Sequence, residues 1–188
     1  NGFLSNQFAN TDNLLAHYET TGDEIINQLP EKVSAFISGV GTGGTLIGVG
    51  RKLIKWDENI KIVALEPEKM PIISKNKIIS EHKIEGIGDD FVPDLLDKTI
   101  LDEVILVNDD DAINMSRRLA KELGIGVGIS SGANFIAGIM YQEKVNKPVV
   151  TVFADDNKKY LSTDLSKEID NNIDFKSNQI KLLDYEVV

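Results

Sequence analysis

Gly39-Val40-Gly41-Thr42-Gly43-Gly44-Thr45 lies between the apolar run Val33-Ser34-Ala35-Phe36-Ile37-Ser38 and a helix-patterned stretch from Leu46 to Ile54. A strand, a glycine turn and a helix in that order aim several backbone N–H groups at one point, at the positive end of the helix. Glycine tolerates positive φ and lets other groups approach the backbone closely. The hydroxyls of Thr42 and Thr45 add donors that a plain turn lacks, and the segment reads as a phosphate cup. Gly39, Gly41 and Gly44 also satisfy G-x-G-x-x-G, and Glu66 falls where a dinucleotide fold places its ribose-binding acid. A nicotinamide dinucleotide site therefore stands beside the phosphate cup, and a purely structural turn is the third reading. Doubled glycine framed by threonines suits a terminal phosphate monoester better than a bridging pyrophosphate.

On either side of this turn, β-like and helical patterns alternate. Residues 33–38, 61–66, 103–107 and 149–153 read as strands, and residues 44–55, 109–123 and 132–143 as helices. A further helix is expected to begin near Thr21 and stop at Pro30. Val63-Ala64-Leu65 and Val149-Val150-Thr151-Val152-Phe153 are nearly continuous apolar runs, as in parallel strands covered on both faces. The fold class is α/β, a doubly wound and mostly parallel sheet. Asn108 is placed to cap the helix at 109–123, with Gly124 closing it. The adjacent carboxylates of Asp109, Asp110 and Asp111 read as a solvated helix start rather than a cation site. Residues 67–98, with three prolines and glycines at 86 and 88, form a long connection that is functional or partly helical. His17 and His82 form no ligand cluster and read as surface or loop residues, so no metal is implied.

With 188 residues, 41% of them hydrophobic, the chain can bury one sizeable core. Its formal charge of -10 argues against nucleic acid or an anionic membrane as partner. There is no cysteine, which removes thiol chemistry and fits a reducing, cytoplasmic setting. No apolar run approaches a membrane span of roughly 20 residues.

A second glycine-framed helix entry, Gly126-Val127-Gly128-Ile129-Ser130-Ser131-Gly132-Ala133-Asn134, carries two hydroxyls. A neutral hydroxyl can hydrogen-bond a pyridine nitrogen without enforcing a charged pyridinium. By themselves Ser130 and Ser131 are also ordinary helix N-caps.

With these two clusters the chain resembles a known family. Gln7-Phe8-Ala9-Asn10, Thr20-Thr21-Gly22-Asp23-Glu24-Ile25, Ile37 to Thr45, Glu66-Pro67, Ile84-Glu85-Gly86-Ile87-Gly88, Phe91-Val92-Pro93, Gly128 to Ala133 and Tyr160-Leu161-Ser162-Thr163 are similar, in that order, to cysteine synthase (O-acetylserine sulfhydrylase) and its relative cystathionine β-synthase. The resemblance implies a fold-type II enzyme of pyridoxal 5'-phosphate. Gly41, Thr42, Gly43, Gly44 and Thr45 would bind the cofactor phosphate. Ser130 would face the pyridine nitrogen, with Ser131 the alternative, and Gly86 would lie near the cofactor. Gln7 and Ile87 would line the site of the amino-acid substrate. The implied reaction is β-replacement that turns O-acetylserine and sulfide into cysteine, or the use of another nucleophile as in cystathionine β-synthase. A non-catalytic cofactor- or partner-binding half is the contrasting reading. A homodimer and docking of the C-terminal tail of serine acetyltransferase are the partners the family implies.

Two departures matter. The family's Ser-x-Lys-Asp motif, which carries the Schiff-base lysine, is absent, so the chain corresponds to the second half of such an enzyme and is expected to be inactive in isolation. On this reading residues 1–188 form one phosphate-binding α/β domain, with 1–10 the end of a smaller, largely missing N-terminal domain and 171–188 a C-terminal tail. The other departure is Ala154-Asp155-Asp156-Asn157-Lys158-Lys159, which lacks the family's proline and glycine and is expected to alter the turn beside the ring nitrogen.

Overall fold

The computed structural model describes residues 2–167 and 174–187. Its elements run α1 (Asp12–Glu19), α2 (Thr21–Gln28), β1 (Ala35–Gly39), α3 (Gly44–Trp56), β2 (Lys61–Pro67), α4 (Ile72–Lys75), β3 (Glu103–Val107), α5 (Asp109–Leu123), α6 (Ile129–Val145), β4 (Val149–Thr151) and α7 (Lys176–Gln179). The four strands form one sheet in the order β3-β2-β1-β4, and every pairing is parallel. Because parallel strands need crossovers, helices cover both faces.

Period-two alternation along β1 divides the core. Ala35 and Ile37 join Val63 and Leu65 of β2 against α5 and α6, while Phe36 joins Ile62 and Ala64 on the opposite face. On that second face α3 contributes Leu46, Val49 and Leu53, a helical spacing that buries one stripe. Behind it, α1 and α2 form an outer layer on α3. The sequence pattern gave α2 but not α1, whose eight residues contain no buried one.

Several expectations need correction. The strand expected over 149–153 ends at Thr151; among the described residues it is an edge strand paired with β1, its residues are only partly buried, and Phe153 is exposed. Helix α6 starts at Ile129, three residues earlier than its sequence pattern suggests. Asp109 and Asp111 are buried rather than solvated. Asp109 Oδ2 accepts from Lys69 Nζ and the Lys83 N–H, both at 3.0 Å, and Asp111 accepts from the N–H groups of Lys176 and Ser177. These carboxylates fasten the 67–98 connection and the C-terminal segment to the start of α5. Of the expected 171–188 tail, residues 171–173 and 188 lie outside the described residues, and Ser177 and Ile180 are buried near α5. No helix among the described residues is long and apolar enough to cross a membrane.

Candidate cofactor and substrate cleft

In this strand order the chain leaves β1 toward β2 and β3 on one side and then crosses back to lay β4 on the other side of β1. That makes the carboxyl end of β1 a topological switch point, the usual location of ligands in open α/β sheets. Two helices start there. α3 follows β1 directly, and α6 runs back along the other face, so both N-termini lie at this edge. Their N-cap residues, Gly43 and Gly128, offer no side-chain cap, whereas Asn108 caps α5 by accepting from the N–H groups of Asp110 and Asp111. Apart from the Gly44 N–H, which Thr42 Oγ1 accepts at 3.2 Å, the leading N–H groups of α3 and α6 are thus left for other acceptors.

The glycine turn has the geometry its composition implies. Gly43 sits at φ +87°, where an L side chain is strained. A Cβ on Gly41 would lie 2.6 Å from the Gly86 carbonyl oxygen, so the turn and the Gly86 loop are in backbone contact. The loop is held there by the Gly88 N–H, which donates to the Val40 carbonyl at 2.9 Å, and by His82 Nε2, 2.7 Å from the Gly88 oxygen. Together they enclose a cavity of about 370 Å³, a small-molecule size. Gln7, Gly41, Thr42, Gly86 and Ile87 line it, so five residues proposed from sequence meet in one place. Glu85 and Asp89 add carboxylates to its wall, and Phe8, on the same wall, packs edge-on against Phe91 at 5.1 Å between ring centroids.

The remaining candidate residues, Gly43, Gly44, Thr45 and Ser130, are not among those that line this cavity. Gly43 and Gly44 are buried, Thr45 is half-buried on the first turn of α3, and Ser130 is on the first turn of α6. Neither Ser130 nor Ser131 is the N-cap. Ser131 is fully buried, and its hydroxyl accepts the Ala154 N–H at 3.2 Å. Ser130 has no hydrogen bond for its hydroxyl among the described residues, which leaves it the available one of the pair. The unusual 154–159 segment is stitched to the start of α6. The Gly128 N–H donates to the Asp155 carbonyl at 3.0 Å and the Asn157 N–H to that of Gly126 at 3.2 Å. Asp155 accepts the Tyr160 hydroxyl at 2.5 Å, and burial first, then this carboxylate, pushes the tyrosine pKa upward. The turn needs no left-handed residue at 157, so the missing glycine costs no backbone strain.

Two rival readings change. Glu66 is buried, and its carboxylate accepts from Ile73 N–H at 2.7 Å, Ser74 N–H at 3.1 Å and the Ser74 hydroxyl, which removes it as a ribose ligand. His17 is not a loop residue: it is half-buried on α1 with Nε2 3.2 Å from Thr45 Oγ1. Only the packing of α1 reveals that contact, because Thr45 is 28 residues away.

Residues 1–155 match the family described as pyridoxal-phosphate dependent enzymes. The chain belongs to that family. Within this pyridoxal-phosphate dependent family, it is 45% identical over 166 residues to cysteine synthase B of Campylobacter jejuni, an alignment that covers 88% of this chain and 55% of the relative. Against cysteine synthase of Staphylococcus aureus the identity is 46% over 166 residues, with 87% and 53% covered. Among solved structures, a hydrogen sulfide-producing enzyme from Fusobacterium nucleatum superposes with a TM-score of 0.89 at 48% identity, over 94% of this chain and 54% of that one. O-acetylserine sulfhydrylase isoform 3 from Entamoeba histolytica gives 0.85 at 40% identity, over 94% and 52%. The chain spans about half the length of the curated relatives it matches. The residues at the cleft fit the family's cofactor: uncapped helix starts and threonine hydroxyls suit its phosphate, and a neutral free hydroxyl suits its ring nitrogen. No lysine lines the described cavity.

Proposed function

We propose that this chain is the phosphate-binding domain of an enzyme that exchanges the acetate of O-acetylserine for sulfide and so makes cysteine. The observation that supports it most is the cleft at the β1 switch point, which gathers Gln7, Gly41, Thr42, Gly86 and Ile87 in a chain 45% identical to a cysteine synthase. When bound, pyridoxal phosphate supplies an electron sink for the pair left on the substrate α-carbon. In this reading the N–H groups and hydroxyls of Gly41 to Thr45 hold the phosphate. Ser130 donates to or accepts from the ring nitrogen without fixing its charge. Gln7 binds the substrate carboxylate, and Gly86 and Ile87 border the substrate on a loop able to close over it. The carboxylates of Glu85 and Asp89 suit the ammonium group of an amino acid. The same reading carries a cytoplasmic homodimer whose cleft accepts the C-terminal tail of serine acetyltransferase.

A second reading has a specific support: the 48% identity to a hydrogen sulfide-producing enzyme slightly exceeds that to the cysteine synthases above. Here the same cleft takes cysteine or serine and a different nucleophile. The complete gene product decides between them. It is expected to bind pyridoxal phosphate and to form cysteine from O-acetylserine and sulfide faster than it releases sulfide from cysteine. The opposite ratio selects the second reading, and no cofactor absorbance removes both.

A further inference from the structure

Helix α1 lies directly behind the glycine turn and presents two polar side chains, one helical turn apart, to its two threonines. Asn13 Nδ2 donates to Thr42 Oγ1 at 2.9 Å, and the same oxygen accepts the Gly44 N–H at 3.2 Å. One turn later, His17 Nε2 is 3.2 Å from Thr45 Oγ1 and its Nδ1 is 3.0 Å from Thr21 Oγ1. This approach depends on missing side chains on α3. A Cβ on Gly44 would overlap the Asn13 amide, and one on Gly48 would meet His17 Cβ at 2.8 Å.

A hydroxyl has one proton and two acceptor lone pairs. Asn13 and Gly44 fill the acceptor positions of Thr42, so its proton is left to point outward, into the cavity that Thr42 lines. His17 has two possible arrangements. Burial lowers its pKa, which keeps the ring neutral, with one donor and one acceptor nitrogen. If Nε2 carries the proton, it donates to Thr45 while Nδ1 accepts from Thr21, and the Thr45 proton is free. In the other tautomer Thr45 spends its proton on the ring and has none for a ligand.

We propose that α1 is the positioning element of the phosphate cup: Asn13, and His17 as its Nε2–H tautomer, turn Thr42 and Thr45 into donors toward a phosphate monoester. This rests on the cofactor reading given above. Both residues act through the threonines and touch no reacting atom. The arrangement also accounts for the polar part of the inward face of α1, where Asn13 and His17 stand beside Leu14, which packs against the core.

The test uses the complete gene product. Long-range proton–nitrogen spectra of the wild-type protein should show His17 protonated at Nε2 and not at Nδ1; the reverse overturns the His17 assignment whatever the variants do. Dissociation constants are then measured for pyridoxal phosphate and for pyridoxal, which lacks the phosphate. Asn13→Leu and His17→Leu should each weaken pyridoxal phosphate about tenfold, the worth of one hydrogen bond to a charged group, and leave pyridoxal unchanged. His17→Gln, which still donates and accepts, should restore binding to within about threefold. Equal losses for both ligands, or no loss for either, overturn the proposal. A wild-type protein that binds pyridoxal without preference for its phosphate also overturns it but spares the cofactor reading, whereas one that binds neither removes both.

Discussion

The Gly39 N–H donates to Asn134 Oδ1 at 2.8 Å, and this single contact joins the last residue of β1 to α6 one turn beyond Ser130. The same side chain donates from Nδ2 to the Val152 carbonyl at 2.8 Å and is only 3% exposed. One amide thus ties the exits of two neighbouring strands to the helix that carries Ser130, the serine proposed for the ring nitrogen. The two ends of the proposed cofactor site, on opposite faces of the sheet, are held in register through it.

Asn134→Leu removes both bonds and leaves a partly buried N–H and a partly buried carbonyl without these partners. The expected loss is about 2 kcal/mol in urea unfolding, accompanied by weaker cofactor binding. A loss below about 0.5 kcal/mol, the range of an unremarkable surface change, would show that Asn134 holds nothing together.

The two serines should separate cleanly. Ser131→Ala leaves the Ala154 N–H without its acceptor and should cost about 1 kcal/mol of stability. Ser130→Ala should leave stability within about 0.5 kcal/mol and instead change the absorbance spectrum of the bound cofactor. If the spectrum follows Ser131 and the stability follows Ser130, the assignment is reversed.

Gly43→Ala forces a side chain onto a backbone at φ +87°. It should cost about 1–2 kcal/mol, read from thermal or urea unfolding, and open the turn enough to release the cofactor. Retention of both stability and affinity would show that the turn tolerates another conformation.

Asp164 gives a pH signature. Hydrogen bonds from Lys167 and then Lys83 lower its pKa from 3.8 to about 2. A carboxylate depressed in the folded state stabilises it above its unfolded pKa, and that contribution is lost as pH falls from about 4 to about 2. Asp164→Asn should therefore lower the urea midpoint near neutrality, where the contribution is fully present, and flatten its pH dependence between about 4 and about 2. Because the carboxylate is partly exposed, the change is modest and should shrink further in high salt. The same contact matters to the cleft, since Lys83 also reaches Asp110 and stands just before the Gly86 loop.

Much of the site was legible because its chemistry is local. Gly41 to Thr45 form one continuous turn, and strand–turn–helix order aims their N–H groups regardless of what packs elsewhere. Asn108 and Gly124 could likewise be placed as the caps of α5 from neighbours within three residues. The helix α1 was not legible: it is eight residues long with no buried one and only Leu14 packed against the core, and its partners Thr42 and Thr45 lie about thirty positions ahead. Asp109 and Asp111 misled for a related reason. A run of three aspartates reads as solvated until loops with unpaired N–H groups are folded over it, and two of the three are then buried.

From the order of its residues alone, this chain determined a parallel α/β sheet, a glycine turn between strand and helix and a kinship with pyridoxal-phosphate enzymes, because periodicity and turn chemistry act over a few neighbouring positions. Only the tertiary structure decided which serine keeps a free hydroxyl, that Glu66 is consumed by the start of α4, and that Asn13 and His17 stand behind the threonines. Each of those outcomes depends on which distant groups compete for the same hydrogen bond, and that competition exists only once the chain has been brought together.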